Sequence, residues 1–245
     1  MDPHYSGRRV AFFGGTFDPP HLGHLGVARA ARAALGLDFV LFAPVGAQPL
    51  KPQGTAASFE DRLAMTRLAI ASDPAFALSL ADAPKPSGEP NYTFETLLAV
   101  RAQLPPPSAL FCLMGADSFA SFRRWHRAAE IPFIASLIVA SRPSESQWSL
   151  DNLDSALPAG LAMEPAPESD TVESEIPLRR FILRNPAGLQ APFYLLPGLH
   201  IEISASQIRD QIRSQAHSPA AAPGPGRAFL PAPVLDYIRA HNLYL

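Results

Sequence analysis

The chain has 245 residues, 47% of them apolar, with one cysteine and a formal net charge of −2. That is enough apolar side chain for the core of a single sizeable α/β domain, and the near-balanced charge excludes a dedicated nucleic-acid binder, which carries a basic excess. An internal disulfide is excluded too; no apolar run before the first expected strand has the form of a signal-peptide core and none approaches the ~20 residues of a membrane span, so a cytoplasmic protein without a membrane partner is expected.

Taken in chain order, short apolar runs recur between helical patterns: Arg9 to Phe13, Phe39 to Ala43, Phe76 to Ala81, Ala109 to Met114, Leu137 to Ala140, and Pro192 to Leu196 with His200 to Ile203 after it. This βα alternation predicts a Rossmann-like, doubly wound parallel sheet with helices on both faces and ligands bound beyond the carboxyl ends of the strands. Two helix starts have the form of a capping box: Ser58 with Asp61 ahead of Leu63 to Ile70, and Ser204 with Gln207 ahead of a helix reaching about Gln215. Cys112, inside an apolar run, is expected to be buried and inert. Residues 143–178 hold eight Asp or Glu, no Lys or Arg and several prolines, so an irregular acidic insertion over about 144–177 is expected on the surface. A proline-rich linker over about 218–233 should clip a last helix, near Val234 to His241, onto the body.

The chemistry concentrates where the first strand meets the first helix, in Gly14-Gly15-Thr16-Phe17-Asp18-Pro19-Pro20-His21-Leu22-Gly23-His24. A helix N-terminus offers unpaired N–H groups and partial positive charge, glycines let a phosphate approach the main chain, and two imidazoles three residues apart share one side of the first turn. The alternatives are plain helix capping and metal ligation, but zinc takes three or four ligands and no third ligand cluster accompanies the pair. The G-x-G-x-x-G order of a dinucleotide-binding first turn is absent. A second anion-friendly helix end follows the last strand, where Arg209 stands near Ser204 and Ser206 and its planar fork can pair with two phosphate oxygens.

The opening segment resembles the signature of the nucleotidylyltransferase superfamily, and the later pieces arrive in the order of its bacterial nicotinate-nucleotide adenylyltransferase family. These pieces are Pro49-Leu50-Lys51, Phe59 to Ile70 with Arg62, Asn91-Tyr92-Thr93, Met114-Gly115-Ala116-Asp117-Ser118 with Trp125 downstream, Val139 to Pro143, Ile203 to Arg209, and Tyr237-Ile238 with Leu243-Tyr244 at the end. The chain departs from the commonest family form at Ala205, where a second hydroxyl often stands, and at Ser206, where Thr is frequent. Phosphopantetheine adenylyltransferases share the opening and Ser-rich motifs, and cytidylyltransferases of the superfamily use CTP. A non-catalytic nucleotide sensor on the same fold is the reading from a different class.

The resemblance implies the nucleotidylyltransferase fold and adenylyl transfer from ATP to nicotinate mononucleotide, with Mg²⁺ carried mainly by the phosphates rather than by protein side chains. It implies a catalytic set of His21, His24, Lys51 and Arg209. Gly14, Gly15, Thr16, Phe17, His24, Gly115, Asp117, Ile203, Ser204, Ser206 and Arg209 would line the ATP site. Thr16, Lys51, Tyr92, Thr93, Asp117 and Trp125 would line the substrate site, with Trp125, set among Arg123, Arg124, His126 and Arg127, stacking on the pyridine ring. Each residue also has a plainer reading: Lys51 as a solvated lysine restrained by Pro49 and Pro52, Gly115-Ala116-Asp117 as an ordinary turn, and Asn91 or Thr93 as a helix cap. His126, His200, His217 and His241 take structural or solvent roles.

Overall fold

A computed structural model of the chain describes residues 9–50, 54–141, 150–167, 176–196, 204–217 and 228–245. Eight strands form one sheet in the order β3-β2-β1-β4-β5-β8-β7-β6, where β1 is Arg9–Gly15, β2 Phe39–Pro44, β3 Phe76–Leu78, β4 Ala109–Gly115, β5 Ser136–Ala140, β6 Ala162–Pro165, β7 Arg179–Arg184 and β8 Gln190–Leu196. From β3 to β8 every pairing is parallel, and β7 and β6 add an antiparallel edge.

Parallel strands covered on both faces are apolar at nearly every position, and β1 and β4 follow that rule. Ala11, Phe13, Phe111 and Leu113 enter one core; Val10, Phe12, Leu110, Cys112 and Met114 enter the other. The first core is closed by α1 (Leu22–Leu35), α2 (Phe59–Ile70), α6 (Ala205–His217) and α7 (Ala232–Ala240); the second by α3 (Thr93–Gln103), α4 (Ala116–Ala120), α5 (Leu150–Ser155) and the 3₁₀ turns Phe122–Arg124 and Ala128–Phe133. On α1, Leu25, Ala28, Ala31 and Leu35 recur at helical spacing and face the sheet, and Gly36 ends the helix at a φ of 56°, where a Cβ would strain the backbone. Cys112 is buried in the second core, and desolvation pushes its thiol up to about 12, consistent with an inert residue.

Strand order reverses between β1 and β4, and the chain ends there splay into a crevice beyond the carboxyl edges, the usual ligand position of open α/β sheets. Two expectations are corrected. The acidic stretch is not irregular throughout: α5 and β6 form within it, and Leu153, Ala156 and Leu157 are buried in the second core. β7 also was not expected as a strand, because its three arginines, Arg179, Arg180 and Arg184, hide an alternation in which Phe181 and Leu183 are buried and their neighbours are not. The antiparallel partner supplies β6 with its backbone hydrogen bonds, so a segment with weak intrinsic strand character is ordered by pairing.

Candidate active site

The chain leaves β1 at Gly15 and enters α1 at Leu22 through a loop that lies over packed aromatic rings. A Cβ on Gly14 would stand 2.8 Å from the buried Phe12 ring and force it to shift, and one on Gly15 would lie in tight contact, 3.1 Å from the Phe17 ring. Phe17 sits at a φ of 48°, a conformation a bulky residue keeps only where its surroundings impose it. Those surroundings are Phe13 at 5.5 Å, Phe42 at 5.6 Å and the His24 imidazole at 5.0 Å between ring centroids.

His21 caps α1 and His24 occupies its third position, with their rings 3.8 Å apart. The main-chain N–H of His21 donates to Nδ1 of His24 at 3.2 Å. An amide nitrogen can only donate, so Nδ1 is unprotonated and the ring proton sits on Nε2, the opposite edge of the ring. Burial first, and the adjacent His21 second, hold the His24 pKa well below the usual imidazole range. His24 therefore presents a neutral Nε2–H donor at neutral pH.

Arg209 reaches the same loop from the other end of the chain. Its Nη1 donates to the carbonyl oxygen of Asp18 at 2.6 Å and lies 3.9 Å from the Asp18 carboxylate, while Nη2 donates to Ser206 Oγ at 3.2 Å. Ser204 and Gln207 form the reciprocal cap read from the sequence: Ser204 Oγ accepts from the Gln207 N–H at 3.2 Å and Gln207 Oε1 accepts from the Ser204 N–H at 2.9 Å. Beneath the loop, the buried guanidinium of Arg62 donates to the carbonyls of Thr16 at 2.8 Å and Val45 at 2.9 Å, bolting together the turns that follow β1 and β2. Burial lowers the Arg62 pKa, and the Asp18 charge opposes that shift.

The opposite wall comes from β4, the turn after it and the start of α3. A Cβ on Gly115 would meet nothing within 4 Å, so the main chain there is open to the cleft. Asp117 follows on the first turn of α4, and Trp125 stands beyond it, half-buried, with Nε1 donating to Ser121 Oγ at 3.2 Å and its ring edge against Phe122. Tyr92 and Thr93 open α3, with no side-chain cap bond from Tyr92. Asn91 does not cap the helix either: its side chain accepts from the Ala47 N–H at 3.1 Å and donates to the Ala83 carbonyl at 2.9 Å, tying the loops after β2 and β3.

One cleft of about 580 Å³ is lined by Gly14, Gly15, Thr16, Phe17, His21, His24, Tyr92, Thr93, Gly115, Asp117, Trp125, Ser204, Ser206 and Arg209 together. Lys51 and Ile203 lie outside the described residues, as do Arg142, Pro143 and His200. Three residues of the cleft, Asp18, Asp82 and His126, were given no role in the site from the sequence, and Tyr244, outside the cleft lining, bonds the first of them. Asp18 stood inside the signature with no role; an acidic residue among anion-handling groups is itself the signal that it must be paired. Tyr244 donates to it from the chain terminus. Asp82, buried with its pKa raised by desolvation, accepts from Thr96 Oγ1 at 2.7 Å. His126, expected to be structural, packs its ring 4.7 Å from Tyr92 and approaches Glu95 at 3.2 Å, which fastens the Trp125 segment to α3.

Comparison with known proteins bears on the family and the fold. A cytidylyltransferase-like family model matches residues 12–211. Relatives that carry the name nicotinate-nucleotide adenylyltransferase include proteins from Dehalococcoides mccartyi, 33% identical over 96% of this chain and 97% of theirs, and from Gloeobacter violaceus, 35% identical over 97% of each. In fold, the chain is similar to Plasmodium falciparum nicotinic acid mononucleotide adenylyltransferase complexed with NaAD, with a TM-score of 0.66, 15% identity and 97% of each chain covered. A family match across most of the chain, together with relatives above 30% identity over nearly their whole length, shows that the protein belongs to the nicotinate-nucleotide adenylyltransferase family within the cytidylyltransferase-like group.

Proposed function

We propose that the protein transfers the adenylyl group of ATP to nicotinate mononucleotide, forming nicotinate adenine dinucleotide and pyrophosphate in NAD biosynthesis. The observation that carries this reading is the convergence of His21, His24 and Arg209 on a single cleft whose far wall holds Trp125, Tyr92 and Thr93. A phosphate oxygen of the mononucleotide attacks the α-phosphorus, that P–O bond forms, and the bond from the α-phosphorus to the bridging oxygen breaks as pyrophosphate leaves.

The nucleophile is already an anion, so no base is required. The obstacle is the approach of two polyanions and the charge gathering on the leaving group, and catalysis reduces to alignment and electrostatic stabilisation. His24 Nε2–H would donate to the α-phosphate, His21 to neighbouring phosphate oxygens, and Arg209 would hold the β- and γ-phosphates against the capped start of α6. Lys51 would guard the substrate or pyrophosphate side, a role that rests on the resemblance. The main chain at Gly14, Gly15 and Gly115, together with Thr16, Phe17, Ile203, Ser204 and Ser206, would line the nucleotide, and Asp117 would accept from ribose hydroxyls. Trp125 would stack on the pyridine ring, with Tyr92 and Thr93 beside it. Mg²⁺, which the resemblance implies is carried mainly by the phosphates, would screen their charge beside His21, His24 and Arg209.

Pyrophosphate release from purified protein tests the proposal, with MgATP offered alongside nicotinate mononucleotide, its amide and phosphopantetheine, and MgCTP as a second donor. Release with MgATP and nicotinate mononucleotide is the expected result. Release only with phosphopantetheine or only with CTP reassigns the substrate, and no release with any pair leaves a nucleotide sensor.

A further inference from the structure

We propose that the hydroxyl of Tyr244, one residue from the end of the chain, positions Arg209 by saturating the carboxylate of Asp18. The inference rests on the adenylyl-transfer reading above, because it takes Arg209 to hold the triphosphate. A buried carboxylate beside an anion site is a hazard: it can draw a phosphate-binding cation into a private ion pair. Asp18 is 4% exposed and lies in the middle of the signature loop.

Three neutral donors occupy it. Oδ2 accepts from the Ala56 N–H at 2.7 Å, and Oδ1 accepts from the Ala57 N–H at 3.2 Å and from the Tyr244 hydroxyl at 2.8 Å. Arg209 Nη1 stays 3.9 Å from the carboxylate and bonds the Asp18 main-chain carbonyl instead, so the carboxylate does not hold the guanidinium in a close pair. Tyr244 remains a proton donor because burial, and next the Asp18 charge, raise its pKa. Its ring is fixed in the first core, and α7 before it is strapped to the start of α2 by Tyr237, whose hydroxyl donates to Asp61 at 3.0 Å. The C-terminal segment thus reaches back across 226 positions of sequence to set the charge balance at the head of the signature loop.

Without the hydroxyl, Asp18 loses a donor and pulls Arg209 toward itself, away from the cleft. Tyr244→Phe keeps the ring and should weaken MgATP binding, measured by calorimetric titration, about tenfold, the equivalent of one hydrogen bond to a charged group. In the Arg209→Ala background the same substitution should change the MgATP dissociation constant less than twofold, because the group it acts through is gone. A purely structural Tyr244 would lower the melting temperature with no effect on MgATP affinity, or its effect would multiply with that of Arg209→Ala; either result overturns the inference. If Tyr244→Phe does not fold, Asp18→Asn removes the charge that would draw Arg209 away and should leave MgATP binding within about twofold of the wild type or tighten it; a tenfold weakening would overturn the inference. Wild-type turnover together with multiplying effects sinks this inference alone, whereas a wild type that neither turns over nor binds MgATP sinks the parent reading and this one with it.

Discussion

His24 uses its two ring nitrogens for different purposes, and substitution can separate them. Nδ1 accepts the His21 N–H and so satisfies a donor at the start of α1; Nε2–H is free of that duty and faces the reaction in the proposed mechanism. Asparagine carries an oxygen about where Nδ1 lies and nothing where Nε2 lies. His24→Asn should therefore lower kcat about 10²-fold, the usual cost of one donor aimed at developing charge, while changing unfolding free energy by less than about 1 kcal/mol. His24→Ala removes both nitrogens and the contact with Phe17, and should add about 1–3 kcal/mol of destabilisation to a similar loss of kcat. Pyrophosphate release under saturating substrates reads the first quantity and urea unfolding the second. A loss of kcat smaller than threefold in the asparagine variant would refute the role of Nε2, whatever the stability result.

Three further outcomes follow from the same geometry. Arg62→Lys keeps the charge but not the fork that spans the Thr16 and Val45 carbonyls, so it should cost about 2–3 kcal/mol and lower the melting temperature by roughly 5–10 °C; a shift under 2 °C would contradict the bolting role. Trp125→Ala should raise the KM for nicotinate mononucleotide about fivefold with the KM for ATP unchanged, and an unmoved mononucleotide KM removes the stacking proposal. Because the folded pKa of His24 is depressed, its stabilising contribution is complete above the ordinary imidazole range and is lost as pH falls, when the unfolded chain takes up a proton that the folded one resists. Urea unfolding between about pH 7 and pH 5 should accordingly show a steeper loss in the wild type than in His24→Asn; parallel slopes would mean that the imidazole is not held neutral.

The strands of the parallel sheet were legible because a strand buried on both faces is apolar at successive positions, and the two capped helix starts were legible because a cap is a local hydrogen-bonding unit only a few residues long. β6 and β7 were not, since β7 is ordered by pairing with β8 and β6 by pairing with β7, and an arginine-rich outer face masks the alternation of Phe181 and Leu183. Gly14, Gly15, His21, His24 and Arg209 could be picked out because glycines, imidazoles and a guanidinium beside helix starts have few other uses in that combination.

What the amino-acid order determined by itself is therefore the set of local devices: the strand–turn–helix carrying the two imidazoles, the serine-capped helix carrying Arg209, and an aromatic set among cations. Only the tertiary structure decided their joint use. That the guanidinium of residue 209 rests on the carbonyl of residue 18, that Arg62 ties two turns from below, and that the hydroxyl of residue 244 closes on Asp18 are contacts between segments far apart in the chain. Such contacts depend on strand order and on how helices pack across the sheet, and no local pattern encodes a partner that lies nearly two hundred residues away.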